Sequence, residues 1–136
     1  MYKKLIDEAL KARENAYAPY SEFKVGAALL TENDEMFSGC NIENASFGAT
    51  NCAERTAIFT AIAKGNHKIK ALAVVGDLNG FTYPCGICRQ VMAEFALDKD
   101  IPIIIAKNRE EYVVKTMEEI LPGAFTKIDL DEQKGR

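Results

Sequence analysis

Three cysteines and one glutamate stand at the starts of two helix-like segments, with a spacing that suits metal chemistry. Cys52 and Glu54 open the run CAERTAIFTAIAKG, and Cys85 and Cys88 follow Pro84 in YPCGICRQ. Cysteines at i and i+3 of a helix start can direct two thiolates at one ion, and Zn²⁺ favours such soft ligands. Helix N-termini carry partial positive charge, which stabilises thiolates. Three thiolates leave one tetrahedral position open, as in a catalytic zinc site.

Glu54 adds the group that makes catalysis the favoured interpretation. A carboxylate two residues from a zinc ligand can reach a water on the metal without binding the metal itself. Zinc lowers the pKa of such a water from about 15.7 toward about 7, and the carboxylate can then pass the released proton to a substrate. The alternative is a structural role, since a glutamate in the first turn of a helix complements the helix dipole.

Arg55 offers charge compensation beside the three cysteines. Three thiolates on Zn²⁺ leave one net negative charge, which weakens the pull of the metal on its water. The guanidinium of Arg55, close to Cys52 in the first helix turn, can bond two thiolates at once. A solvated surface arginine is the alternative interpretation.

The cysteines meet only if both helices lie side by side on one face of a sheet. Apolar periodicity predicts an N-terminal helix over residues 2–16, ended by Pro19, and then a β-hairpin formed by KVGAALLT and MFSGCNIE. Two further helices are predicted at CAERTAIFTAIAKG, with Gly65 as its stop, and GICRQVMAEFAL. IKALAVVGD and IPIIIA are predicted buried strands, and EYVVKTM a last strand before a short helix or turn in EEILPGAF. The polar last residues, DEQKGR, are expected to be frayed. This alternation predicts an α/β domain with helices covering the sheet.

Length and composition favour one soluble domain. The 136 residues are 48% hydrophobic, enough for a core, so we predict a single domain over residues 1–136. A net charge of −3 with scattered basic residues argues against a nucleic-acid partner. Apolar runs are shorter than the roughly 20 residues of a membrane span, and the charged N-terminus is unlike a signal peptide. These features predict a cytoplasmic protein without a membrane partner, where clustered cysteines more often bind metal than form disulfides.

These motifs resemble one known family. CAERTA together with PCGICRQ resembles the zinc-dependent cytidine deaminases, whose signature is a His- or Cys-x-Glu followed by Pro-Cys-x-x-Cys. FKVGAALLT, GCNIENASF and LPGAF extend the resemblance, in the same order, over nearly the whole chain. It implies a three-layer α/β/α sandwich around a mixed five-stranded sheet. It also implies one zinc ion per chain and hydrolysis of cytidine and 2′-deoxycytidine to the uridine products and ammonia.

The resemblance also implies roles around the metal and the substrate. Cys52, Cys85 and Cys88 bind zinc, and Glu54 transfers protons. Gln90 steadies the zinc ligands without binding the metal itself. Substrate contacts are implied for a further group that binds the pyrimidine or the ribose. Its members are Phe23 against the pyrimidine ring, Asn41, Ile42 and Glu43 toward the ribose, and the backbone of Ala53 toward the base.

Short length and an all-cysteine ligand set are similar to the homotetrameric nucleoside deaminases. That similarity implies a homotetramer in which Phe125 reaches a neighbouring subunit's site. Read without the resemblance, Phe23 and Phe125 are expected in the core. Phe47 departs from the family, which often has tyrosine there, so any hydrogen bond of that hydroxyl is missing in this chain.

Three rival interpretations stay open on the sequence. A structural zinc ribbon would use Cys40 as the fourth ligand, and a redox dithiol would use Cys85 and Cys88 alone. The redox interpretation leaves Cys52 unexplained. The third rival is a deaminase of another aminopyrimidine nucleoside, such as an aminoacylnucleoside antibiotic, and Glu43 favours a plain nucleoside instead.

Overall fold

The computed structural model describes residues 1–134 of the chain. Its helices and strands follow the predicted alternation, with a 3-10 turn at Phe47–Ala49 and a C-terminal helix added. In chain order the elements are α1 (Tyr2–Arg13), β1 (Gly26–Thr31), β2 (Met36–Cys40), α2 (Ala53–Ala63), β3 (Ile69–Val75), α3 (Gly86–Phe95), β4 (Pro102–Ala106), β5 (Tyr112–Thr116), α4 (Met117–Ile120) and α5 (Lys127–Lys134).

The five strands form one mixed sheet in the order β2-β1-β3-β4-β5. Strands β3 and β4 run parallel, and the other three neighbouring pairs are antiparallel. Every residue of β1 is buried, and β3 and β4 are almost entirely buried, as expected for central strands covered on both faces.

Helices cover both faces of this sheet. Ala28 of β1 packs into a buried cluster with Leu5 of α1 on one face. The adjacent Leu29 points to the opposite face and joins a cluster with Ile58 of α2 and Met92 of α3. Successive strand residues alternate between faces, so the sheet separates α1 from α2 and α3. The prediction of a three-layer α/β/α sandwich with a mixed five-stranded sheet is confirmed.

Two helix predictions were wrong in their extent. α1 ends at Arg13 and not at residue 16, because the backbone N–H of Tyr17 donates to Asn41 O at 3.0 Å. Residues 131–134 were expected to be frayed, yet they belong to α5, whose start is capped where Thr126 N donates to Asp129 Oδ2 at 2.7 Å. The rest of that expectation, on residues 135–136, lies outside the described residues. Over residues 1–134, each helix is too short or too polar to cross a membrane.

At Gly39, β2 lies very close to α2, the helix that carries Cys52 at its start. A Cβ on Gly39 would lie 2.5 Å from the backbone N of Ala57 and 2.9 Å from the carbonyl O of Ala53. Any larger residue must therefore push α2 off the sheet.

We expect Gly39→Ala to lower the free energy of unfolding by about 1–3 kcal/mol, the usual cost of overpacking. Urea unfolding at fixed zinc and protein concentrations measures it. The matched control is Gly48→Ala, since a Cβ there meets nothing within 4 Å. Equal urea midpoints for Gly39→Ala and the wild type would contradict the close approach.

Candidate metal centre and substrate cleft

The two helix starts bring the three predicted ligands together. Cys52 immediately precedes α2, Cys85 immediately precedes α3, and Cys88 lies in the first turn of α3. Both helices pack on the same face of the sheet. The three sulfur atoms lie within 4.8 Å of one another, so the predicted juxtaposition of the helix starts is confirmed.

The spacing of the sulfurs fits a zinc ion. Zinc–sulfur bonds of about 2.3 Å at tetrahedral angles place two sulfurs about 3.8 Å apart. The Sγ atoms of Cys52 and Cys85 are 3.8 Å apart. In addition, Nε of Arg55 is buried without a hydrogen-bond partner among the described atoms. Such a donor suits a fully deprotonated cysteine group, because thiolates accept hydrogen bonds. Both the donor set and its surroundings therefore fit zinc.

Cys40 lies apart from this group. It ends β2, is half-buried and is paired with Gly26 across the sheet. Burial raises the pKa of the Cys40 thiol, which favours the neutral form that packs as a small apolar side chain. Among the described residues, the group able to hold a metal contains three cysteines. The four-cysteine ribbon is therefore disfavoured.

The surroundings of Cys52 favour its thiolate form. A hydrogen bond from the Cys88 thiol is the largest cause that lowers the pKa of Cys52, to about 5, and Arg55 lowers it further. The Nη2 atom of Arg55 donates to Cys52 Sγ at 3.3 Å. Hydrogen bonds to Cys52 and Cys88 raise the pKa of Arg55 despite its partial burial. Arg55 thus faces the sulfurs, as the charge-compensation hypothesis requires.

Glu54 lies beside the sulfurs and is almost fully enclosed. Its side chain is 4% exposed, although it lines the cleft next to Cys52 and Cys85. Burial is the main cause that raises the pKa of the Glu54 carboxyl to about 7, and the charge of Cys52 raises it further. A pKa near neutrality suits a group that both accepts and donates protons.

A cleft of about 290 Å³ opens over Glu54, Cys52 and Cys85. Four predicted substrate contacts line it together. They come from the loop before β1, the segment after β2 and the start of α2, and they are Phe23, Asn41, Glu43 and Ala53. Phe23 is 43% exposed and therefore belongs to the cleft wall, not to the core.

Asn41 and Glu43 are held in place by the loop opposite them. The Asn41 side chain accepts from Val25 N at 2.9 Å and donates to Phe23 O at 2.8 Å. The Glu43 carboxylate accepts hydrogen bonds from the Ser21 hydroxyl and from the backbone N–H of Ser21. The bond from the Ser21 hydroxyl is the largest cause that holds the pKa of Glu43 below its ordinary value. Both side chains are thereby fixed at the cleft wall.

Three predicted site residues have their contacts elsewhere. The side chain of Ile42 is exposed and does not line the cleft. The backbone of Ile42 pairs with that of Asn51. Phe125 is 59% exposed and does not line this chain's cleft. Gln90 Nε2 donates to Phe125 O at 2.8 Å. Gln90 thereby contacts the C-terminal segment, and its expected role in steadying the zinc ligands stays a prediction.

Several residues that line the cleft were not predicted from the sequence. Ser21, Asn51 and Tyr83 line the cleft with the predicted residues. Tyr83 could have been found from its place directly before Pro84 in the metal motif. Ser21 gave no comparable signal, since its role depends on the long-range contact with Glu43.

Phe47, the departure from the family pattern, lies at the rim of the site. Its ring is 77% exposed and meets the ring of Tyr20 edge-on, with centroids 6.1 Å apart. Both rings border a hollow beside Glu43. A tyrosine hydroxyl at this position would therefore project at the rim, away from the cysteine group's chemistry.

Comparison with known proteins identifies the protein family to which this chain belongs. The model of the cytidine and deoxycytidylate deaminase zinc-binding region matches residues 1–104. The chain belongs to this family, and the metal that the family's region binds is zinc.

Close relatives cover almost the whole chain. The chain is 52% identical to a cytidine deaminase of Sporosarcina psychrophila over 128 residues, which cover 94% of this chain and 93% of the relative. It is 49% identical to a cytidine deaminase of Halalkalibacterium halodurans, with 94% and 96% covered. The crystal structure of a cytidine deaminase from Burkholderia pseudomallei superimposes with a TM-score of 0.85 at 48% identity, covering 92% of this chain and 99% of that one.

Proposed function

We propose that this protein is a zinc-dependent hydrolase that converts cytidine and 2′-deoxycytidine to uridine and 2′-deoxyuridine with release of ammonia. The observation that carries the proposal is the cleft in which buried Glu54 lies beside three clustered cysteine sulfurs. Membership of the deaminase family and close similarity to cytidine deaminases support it. The same evidence supports a role in pyrimidine salvage.

Cys52, Cys85 and Cys88 would hold the zinc ion. Bound zinc supplies Lewis acidity, which lowers the pKa of water at the site to near neutrality. Glu54 accepts a proton from the attacking water and delivers it to ring atom N3 of the base. It then carries the second proton of that water, from the new hydroxyl on C4, to the amine, which leaves as ammonia while the C4 carbonyl forms. The balance is cytidine plus water giving uridine plus ammonia.

The remaining cleft residues would bind and orient the nucleoside. Phe23 packs against the pyrimidine, and the backbone of Ala53 holds the base. Asn41 and Glu43, already fixed by the loop before β1, offer an amide and a carboxylate to the ribose hydroxyls. A preorganised carboxylate loses little freedom on binding, which favours affinity for the sugar.

Loss of cytidine absorbance, with ammonia measured in parallel, tests the function. We expect turnover of cytidine and deoxycytidine, and its loss on treatment with a zinc chelator. CMP should react poorly because its 5′-phosphate would approach the Glu43 carboxylate. A zinc-loaded protein that leaves cytidine unchanged would refute the proposal, and comparable rates on CMP would refute the part played by Glu43.

Arg55→Ala should reduce turnover while zinc and fold are retained. The Arg55 guanidinium donates a hydrogen bond to Cys52 Sγ. Without it, the sulfurs donate more electron density to the metal, and water at the site becomes less acidic. Hydrogen bonds to charged groups contribute about 1.5–3 kcal/mol, so we expect at least a roughly tenfold loss in kcat. The measurement is kcat at matched zinc content.

The matched control for Arg55→Ala is Arg109→Ala, because Arg109 makes a surface ion pair with Asp7. Replacing Cys52 by histidine in the Arg55→Ala background removes one negative charge and should restore part of the activity. Wild-type turnover by Arg55→Ala itself would contradict charge compensation.

We also propose a homotetramer in which Phe125 completes a neighbour's cleft. Its exposed ring and its position outside its own cleft support this arrangement. Light scattering should give four times the 15.0 kDa of one chain. Phe125→Ala should lower kcat/KM about tenfold, since burying a phenylalanine ring contributes roughly 1.5–3 kcal/mol. A fully active monomer on dilution would exclude the shared cleft.

The chain's organisation and location complete the proposal. Residues 1–136 form a single catalytic domain that acts in the cytoplasm on a free nucleoside. Its net charge of −3 supports the expectation that neither nucleic acid nor a membrane is a partner.

A further inference from the structure

Next to the metal group, the Arg89 side chain donates hydrogen bonds to two backbone carbonyls that are far apart in the sequence. It lies on α3 directly after Cys88, and its Nε donates to Pro84 O at 2.8 Å. The Nη1 atom of the same guanidinium donates to Ile120 O, at the end of α4, also at 2.8 Å. Its central carbon lies 5.9 Å from the centroid of the Tyr83 ring, which lines the cleft.

The Pro84 carbonyl belongs to the peptide unit that leads into Cys85. The orientation of that peptide plane sets the direction in which the Cys85 side chain leaves the backbone. The backbone N–H of Arg89 also donates to Cys85 O at 3.0 Å, as the i to i−4 bond of the first helical turn. One residue therefore holds both carbonyls that flank the start of the Cys85 side chain.

Cys85 is the cysteine of the group that most needs such support. Cys88 is buried and Cys52 is half-buried, whereas Cys85 is exposed at the end of the loop that connects β3 to α3. Packing alone therefore restrains it least. The guanidinium fork matches two separated acceptors, and a lysine ammonium does not reproduce that geometry.

We propose that Arg89 is a positioning residue for the metal centre, which fixes the Pro84–Cys85 peptide by anchoring it to the end of α4. The proposal rests on the ligand set in the proposed function. Arg89 touches neither substrate nor sulfur in this arrangement and acts through the backbone of Cys85. Its loss therefore weakens metal retention and changes metal geometry before it affects the fold.

The test compares zinc release from purified, zinc-loaded protein to a chromogenic chelator. Groups that orient metal ligands typically contribute about 10–100-fold in metal affinity, so Arg89→Lys should lose zinc at least about tenfold more readily than the wild type. Co²⁺ substituted for zinc gives a second readout, since its absorption reports thiolate number and tetrahedral geometry. The cobalt spectrum of Arg89→Lys should differ from that of the wild type.

Two control variants separate this role from general packing. Asp129→Ala removes the bond that caps α5 in the C-terminal segment but leaves Pro84 held, and it should retain zinc like the wild type. Arg109→Lys makes the same chemical change at the surface ion pair with Asp7, and it should also leave zinc release unchanged. Addition of methylguanidine to Arg89→Ala should slow its zinc release, because the small cation can donate to the same carbonyls.

Three outcomes are decisive. Wild-type zinc release and cobalt spectrum in Arg89→Lys overturn the proposal while the proposed ligand set stands. Equal loss of zinc in Asp129→Ala also overturns it, because the effect would then come from loosening of the C-terminal segment. Wild-type protein that binds no zinc overturns the ligand set and, with it, the role of Arg89.

Discussion

Glu54→Gln is expected to lower kcat for cytidine by about 10²–10⁴-fold, the usual contribution of general acid–base catalysis. Glutamine keeps the size of the side chain but cannot accept a proton from water or deliver one to the base. Glu54 is 4% exposed, which leaves little room for bulk water to substitute as the proton carrier. The measurement is kcat by loss of cytidine absorbance at matched zinc content.

The design of this test separates the proton transfer from the metal. Glu54 lies beside the sulfurs without belonging to the group able to hold a metal, so the glutamine variant should keep one zinc per chain. Glu110→Gln is the matched control, because Glu110 forms an exposed ion pair with Lys3. If Glu54→Gln deaminates cytidine within a few-fold of the wild type, the proton carrier must be another group.

The cysteine group could be predicted because its signal is local. Cys85 and Cys88 share one helix start, so their relative position follows from helical spacing alone. Cys52 required one further inference, that α2 and α3 lie on the same face of the sheet. Alternating buried strands and helices predicted only that helices cover the sheet. The shared face was a requirement of the ligand hypothesis, and the structure meets it.

The contacts that could not be predicted join distant segments of the chain. Gln90 and Arg89 bind the carbonyls of Phe125 and Ile120, and the path of that C-terminal segment could not be inferred from local patterns. Ser21 gains its role only when the loop before β1 meets Glu43. Sequence periodicity reports which residues face a core, and it carries no information on such pairings.

Local chemistry could have identified the C-terminal helix. Thr126 and Asp129 stand in the spacing of a capping box, with Asp129 in place of the usual glutamate or glutamine. The structure shows the Asp129 carboxylate accepting from the Thr126 N–H, and Asp129 N donating back to Thr126 O at 3.0 Å. The polar composition of DEQKGR, used alone, led to the wrong expectation for residues 131–134.

Replacing Cys88 with alanine is expected to strip zinc from the protein and abolish turnover. Two sulfurs would remain, and two protein ligands fall short of the three that catalytic zinc sites keep. Cys88 is fully buried, so its removal also leaves a small cavity in the core that could destabilise the chain. Zinc content by elemental analysis and kcat are measured together, with far-UV circular dichroism to confirm folding.

Cys85→Ala tests the same metal site without creating a buried cavity. Because Cys85 is exposed, its truncation removes a ligand without disturbing the core, and we expect the same loss of zinc and turnover. Cys40→Ala is the matched control, since Cys40 lies outside the metal group and should leave one zinc per chain. Zinc lost from Cys40→Ala would favour the four-cysteine ribbon. Zinc retained by Cys85→Ala would show that Cys85 is not a ligand. The three-cysteine site with one open coordination position, on which the hydrolytic chemistry depends, would then be wrong.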